Sequence, residues 1–98
     1  MLECQSLDEV RQQIDSLDRQ IVELLAARGG YVSRAARFKR DTDAVRAPQR
    51  VEQVITKVRT LAATAGASPE VVEQVYRAMI AAFIEAELAE HAVLNPSV

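Results

Sequence analysis

An all-α fold of three helices, one long and two shorter, follows from three observations. Apolar residues recur at steps of three and four along most of the chain. Glycine and proline number only three each, too few for a turn-rich β fold. Each proline stands where the periodicity starts or stops. The 98 residues form one domain, 1–98, small enough that burying a sufficient core alone is difficult.

The first helix is set by Leu7, Val10, Ile14, Leu17, Ile21, Leu24 and Leu25. Ser6, with Glu9 three residues on, reads as a capping box. Gly29-Gly30 interrupts the pattern at about 1 kcal/mol per glycine, and the stripe resumes at Val32, Ala35, Ala36 and Phe38. One helix from about residue 7 to about residue 39 is expected, with a break at the glycines as the alternative. Residues 40–47 lose the periodicity and read as a charged loop. Ala47-Pro48 opens the second helix, where the missing proline N–H costs nothing. Its stripe is Val51, Val54, Ile55, Val58, Leu61 and Ala62, and Gly66 stops it. Ser68-Pro69-Glu70 starts the third helix. That helix carries Val72, Val75, Tyr76, Met79, Ile80, Phe83, Ile84 and Leu88 and ends before Asn95-Pro96.

A first helix of about 33 residues would span roughly 50 Å, whereas a compact domain of this size has a radius of gyration of about 13 Å. Much of its apolar stripe would project past a monomeric core. An intertwined homodimer that buries the same stripe on both subunits is the economical expectation.

The net charge of −2 gives no electrostatic case for nucleic acid, despite twelve lysines and arginines. Cys4 is the only cysteine, which rules out an internal disulfide. His91, the one histidine, cannot anchor a zinc site alone. The start of the chain lacks the pattern of a signal peptide, and no apolar run approaches membrane-spanning length, so no membrane partner and a cytoplasmic location are expected.

On an unbroken helix, Arg28 and Lys39 fall within roughly 20° of each other and about 16 Å apart. Val32, Ala35 and Ala36, small enough to leave a hollow, lie between them. Two cations over a recess suit a small dicarboxylate; a solvated pair is the alternative on spacing alone. Arg11 lies about 26 Å from Arg28 along the helix, too far to grip the same ligand from one chain but within reach in an antiparallel dimer. Glu87 shares a face with Tyr76, Ile80, Phe83 and Ile84. It either snorkels to water at the edge of that stripe or is a partly buried neutral acid donating a hydrogen bond. Arg50, in the first turn of the second helix, points either at the pocket or at solvent, and Arg46 reads as solvated. No nucleophile–base set, phosphate loop or metal motif can be assembled from the sequence. The chemistry left, with neither cofactor nor metal, is a substrate rearranging under shape restraint and fixed charge.

R-x-x-I-D-x-x-D-x-x-I-V-x-L-L-x-x-R from Arg11 to Arg28, followed by Lys39 and Arg50, resembles the all-helical (AroQ) class of chorismate mutases over nearly the whole chain. Within that class, Y-V-x-x-A-x-R-F-K and A-P-x-R-V look most like the isochorismate-pyruvate lyase branch, which makes salicylate. The resemblance implies an intertwined dimer with two equivalent sites. Arg28 and the partner's Arg11 would bind substrate carboxylates, and Arg50 would add positive charge. Lys39 would contact a carboxylate and the ether oxygen whose bond to the ring breaks. Glu87, where the family usually has Gln and some members have Glu, would donate the second hydrogen bond to that oxygen. The segment 40–47 would close over the site.

Two departures from the resemblance bear on the substrate. Many mutases have acidic residues near the substrate's 4-hydroxyl, where this chain has Ala47 and Val51. Phe83 stands where some members have a small hydroxyl residue. Losing these hydroxyl readers suits isochorismate, whereas Glu87 stands where the lyase usually has Gln; the reading is chorismate mutase, with isochorismate-pyruvate lyase as the alternative. An aminodeoxychorismate mutase and a non-catalytic helical dimer come behind both.

Overall fold

The computed structural model describes residues 3–94. In chain order the elements are α1 (Leu7–Ala36), α2 (Thr42–Arg46), α3 (Pro48–Ala65) and α4 (Pro69–Leu94). The expected stop at Asn95-Pro96 lies outside the described residues. No helix is long and apolar enough to cross a membrane among the described residues. The chain divides into two compact units, Met1–Tyr31 and Val32–Val98, with the boundary inside α1.

In the first unit, Ser6 Oγ accepts from the Glu9 amide at 3.1 Å, as a capping box requires. The Glu9 carboxylate reaches back to the Gln5 amide at 2.6 Å rather than to that of Ser6. The helix continues through Gly29 and Gly30 without a break. Its apolar stripe is largely open, with Val10, Ile14, Leu17, Ile21 and Leu24 39–69% exposed and Leu25 half-buried.

Two expectations need correction in the second unit. The first helix ends at Ala36, not near residue 39. The amides of Arg37, Phe38 and Lys39 bond to the carbonyls of Arg34, Ala35 and Ala36, three residues back. This tighter winding carries Lys39 off the α-helical stripe, so the wheel that aligned it with Arg28 does not extend to it. Phe38, assigned to the apolar face, is 86% exposed.

The second correction concerns residues 40–47, which hold the one-turn helix α2 rather than a loop. Asp41 caps it, accepting from the Ala44 amide at 2.8 Å, and Val45 is 2% exposed. A single turn is too short to show periodicity.

Ala47 joins α2 to α3 with φ 38° and ψ 61°. Proline at 48 disfavours the right-handed region for the residue before it, and the left-handed conformation costs an alanine about 1 kcal/mol. At the far end of α3, Gly66 (φ 79°) and Ala67 close a Schellman turn, with the Ala67 amide bonding to the Ala62 carbonyl at 2.8 Å. Ser68 Oγ then caps α4 through the Val71 amide at 3.2 Å. Both α2 and α3 pack on α4. Among the described residues, the buried apolar ones are Ala36, Val45, Ile55, Val58, Ala62 and Ile80.

Outside this core an ion-pair network links α3 to α4. Arg77 makes a two-pronged bond to Glu52, both arms at 2.9 Å, and also holds Glu73 at 2.8 Å. Arg59 holds Glu73 at 2.7 Å and Glu70 at 3.3 Å. The hydrogen bonds from Arg77 hold Glu52 and Glu73 below the ordinary glutamate value of 4.5. Glu70 is lowered first by its own backbone N–H, then by Arg59. Depressed folded-state values stabilise the fold above the ordinary carboxylate range, and that contribution is lost as pH falls through them. In low salt, the urea midpoint is expected to drop between about pH 5 and about pH 3, less so in Arg77→Ala or in molar salt. A wild-type midpoint that drops no more than that of Arg77→Ala would remove the network from the energetics of the fold.

Candidate active site

Glu87 and His91 lie one turn apart on the same face of α4, and both are buried, at 4% and 7% exposure. The edge-of-stripe reading of Glu87 therefore does not hold. A buried carboxylate must be paired, and Lys39 pairs it. The lysine Nζ donates to Glu87 Oε2 at 2.7 Å and to Oε1 at 3.1 Å. Its side chain keeps 25% of its surface open, against 3% for Glu87. An ammonium has three N–H donors. Two serve the carboxylate, so the open side of the lysine can present the third to an incoming anion.

Backbone contacts fix where this ammonium stands. Behind Lys39 is the tight turn that ends α1. Ahead of it, the Lys39 carbonyl lies 3.1 Å from His91 Nε2. One turn before α1 ends, Ser33 Oγ donates to Glu90 Oε1 at 2.6 Å, tying the last turns of α1 to α4. Every buried side-chain polar atom has a partner among the described residues.

The other candidate residues are placed as follows. Phe83 lies one turn before Glu87 on α4 and is half-buried. Ala47 is the left-handed corner before α3, and Val51 follows in that helix; both are half-buried. Arg50 is exposed. Arg11 is exposed and Arg28 half-buried, both in the first unit. Of the eight candidates, Lys39 and Glu87 are thus joined by direct hydrogen bonds.

Sequence reasoning missed His91, Ser33 and Glu90. The four-residue step from Glu87 to His91 was a readable signal for the first; nothing local marked the other two. Lys39→Ala is expected to cost on the order of 2 kcal/mol in urea unfolding, because it strands a buried carboxylate. In a Glu87→Gln background the same change should cost under about half of that. Equal costs in both backgrounds would mean that the pair contributes no coupling.

Residues 10–88, which include Arg11, Arg28, Lys39, Arg50 and Glu87, match the family described as type II chorismate mutase. The chain is also 31% identical over 86 residues to the isochorismate pyruvate lyase of Pseudomonas aeruginosa, covering 88% of this chain and 85% of that protein. The all-helical chain, with its lysine–glutamate pair, belongs to the type II chorismate mutase family.

Proposed function

We propose that the chain is a chorismate mutase, rearranging chorismate to prephenate in one pericyclic step without a covalent intermediate or cofactor. The observation that carries this reading is the Lys39–Glu87 pair: an ammonium open on one side, held by a buried carboxylate. Breaking the ether C–O bond while the new C–C bond forms builds negative charge on the ether oxygen. A fixed cation there stabilises the transition state more than the ground state. Lys39 turns its remaining N–H to that oxygen, and Glu87 adds a second hydrogen bond when it carries a proton. Arg28, Arg50 and the partner's Arg11 hold the two carboxylates, and Ala47, Val51 and Phe83 shape the walls around the ring. The open stripe on α1 supports the intertwined homodimer that this arrangement needs.

A second reading, isochorismate-pyruvate lyase, is favoured by Ala47 and Val51, which lack the acidic groups suited to a 4-hydroxyl, and by the lyase relative. Glu87 speaks for the mutase, because the lyase branch usually has Gln there.

Product analysis with chorismate and isochorismate supplied separately decides between them. Prephenate without salicylate is the expected outcome; efficient salicylate and pyruvate release would reassign the chain to the lyase. Inactivity with both would overturn the enzymatic reading of these substrates. Arg28→Ala and Lys39→Ala are each expected to lower kcat/KM by about 10²–10³-fold, whereas a non-catalytic dimer would be indifferent to both. Glu87→Gln, whose amide donates a hydrogen bond without needing a proton, is expected to keep activity. Loss of activity in the Gln variant would take that hydrogen bond out of the mechanism.

A further inference from the structure

Lys39 stands outside any helix, so no regular ladder fixes its backbone beyond the last tight turn of α1. Two side chains one turn apart on α4 hold it instead. Glu87 takes the ammonium, at 2.7 and 3.1 Å. His91, 7% exposed, takes the main-chain carbonyl at 3.1 Å. A carbonyl oxygen only accepts, so Nε2 must carry the hydrogen in this contact.

The two grips respond differently to a bound substrate. The Glu87 bonds share the ammonium with any anion that its third N–H meets, so a ligand pulls on them. The His91 bond reaches the backbone and is not shared. We propose that His91 is a positioning residue for Lys39, keeping its Cα in place while the ammonium's third N–H meets the substrate. This rests on the catalytic role proposed for Lys39. The position lies beyond residues 10–88, the stretch that matches the family.

Protonation does not break the grip, because Nε2 keeps its hydrogen in both the donating neutral tautomer and the cation. The charged neighbours in sequence and on the facing segment are Glu87 and Glu90 on α4, and Lys39 and Arg40 opposite. Loss of the donor, not a change of charge, is therefore the perturbation to make. His91→Phe keeps a ring and removes the donor; His91→Gln retains an N–H donor at similar reach.

Kinetics are measured per folded molecule on whichever of the two substrates the wild type turns over. His91→Phe is expected to lower kcat by about tenfold with little change in KM, since a displaced catalytic group costs the transition state most. His91→Gln should recover to within about threefold of wild type. In a Lys39→Ala background, His91→Phe should cost nothing further. Unchanged kcat in His91→Phe, failure of Gln to rescue, or an undiminished loss in the Lys39→Ala background would each overturn the proposal.

A readout independent of activity separates this result from the functional reading. The backbone ¹³C′ resonance of Lys39 should move in His91→Phe and return in His91→Gln. If the wild type is inactive on both substrates but the resonance behaves this way, the grip stands and the catalytic role of Lys39 falls. A resonance unchanged in the Phe variant shows there was no grip.

Discussion

Glu87 sets the terms for the second unit of this protein. A carboxylate with 4% of its surface exposed cannot stay ionised without a cation and hydrogen bonds around it. Lys39 supplies both, but from a long α-helix it would follow the stripe of α1. The three tightened hydrogen bonds after Arg34 release it, and His91 and the Ser33–Glu90 bond secure the segment against α4. The end of one helix, the polar face of another and the site between them are thus answers to a single electrostatic demand.

That demand is also what the proposed function would use. Removing a buried pair in favour of apolar residues is commonly neutral or stabilising, so stability alone gives little reason to keep one. A cation held in a fixed place, with one side open, is costly to the fold and valuable to a reaction that develops negative charge. Positioning in advance spares the reorganisation that water would have to undergo. The corner at Ala47, left-handed without being glycine, shows a second local cost close in sequence to the candidate substrate-binding residues Arg50 and Val51.

Energetics elsewhere in the chain are more ordinary. α3 packs on α4, Ile55, Val58, Ala62 and Ile80 of these helices are buried, and an ion-pair network links the two outside the core. The first unit is different: its helix carries leucines and isoleucines on an open stripe, which a folded chain does not leave to water without reason. The homodimer proposed above would cover that stripe with a second copy of the chain.

The amino-acid sequence by itself determined the three long helices. Their starts at Ser6, Pro48 and Pro69 and the stop at Gly66 are local effects of caps, φ preferences and periodicity, and these act within a few residues. It also singled out Glu87, because a charged residue on an apolar face is conspicuous in one dimension, and Lys39 through a helical alignment with Arg28 that the fold does not keep. Tertiary structure alone decided that Lys39 leaves the helix, that residues 42–46 coil around a buried Val45, and that Glu87 is buried rather than at an edge. Partners 48 and 52 residues away in the chain fix those outcomes, and no local pattern encodes them. His91 illustrates the limit: its spacing from Glu87 was legible, but its role depends on a carbonyl that only the folded chain brings to it.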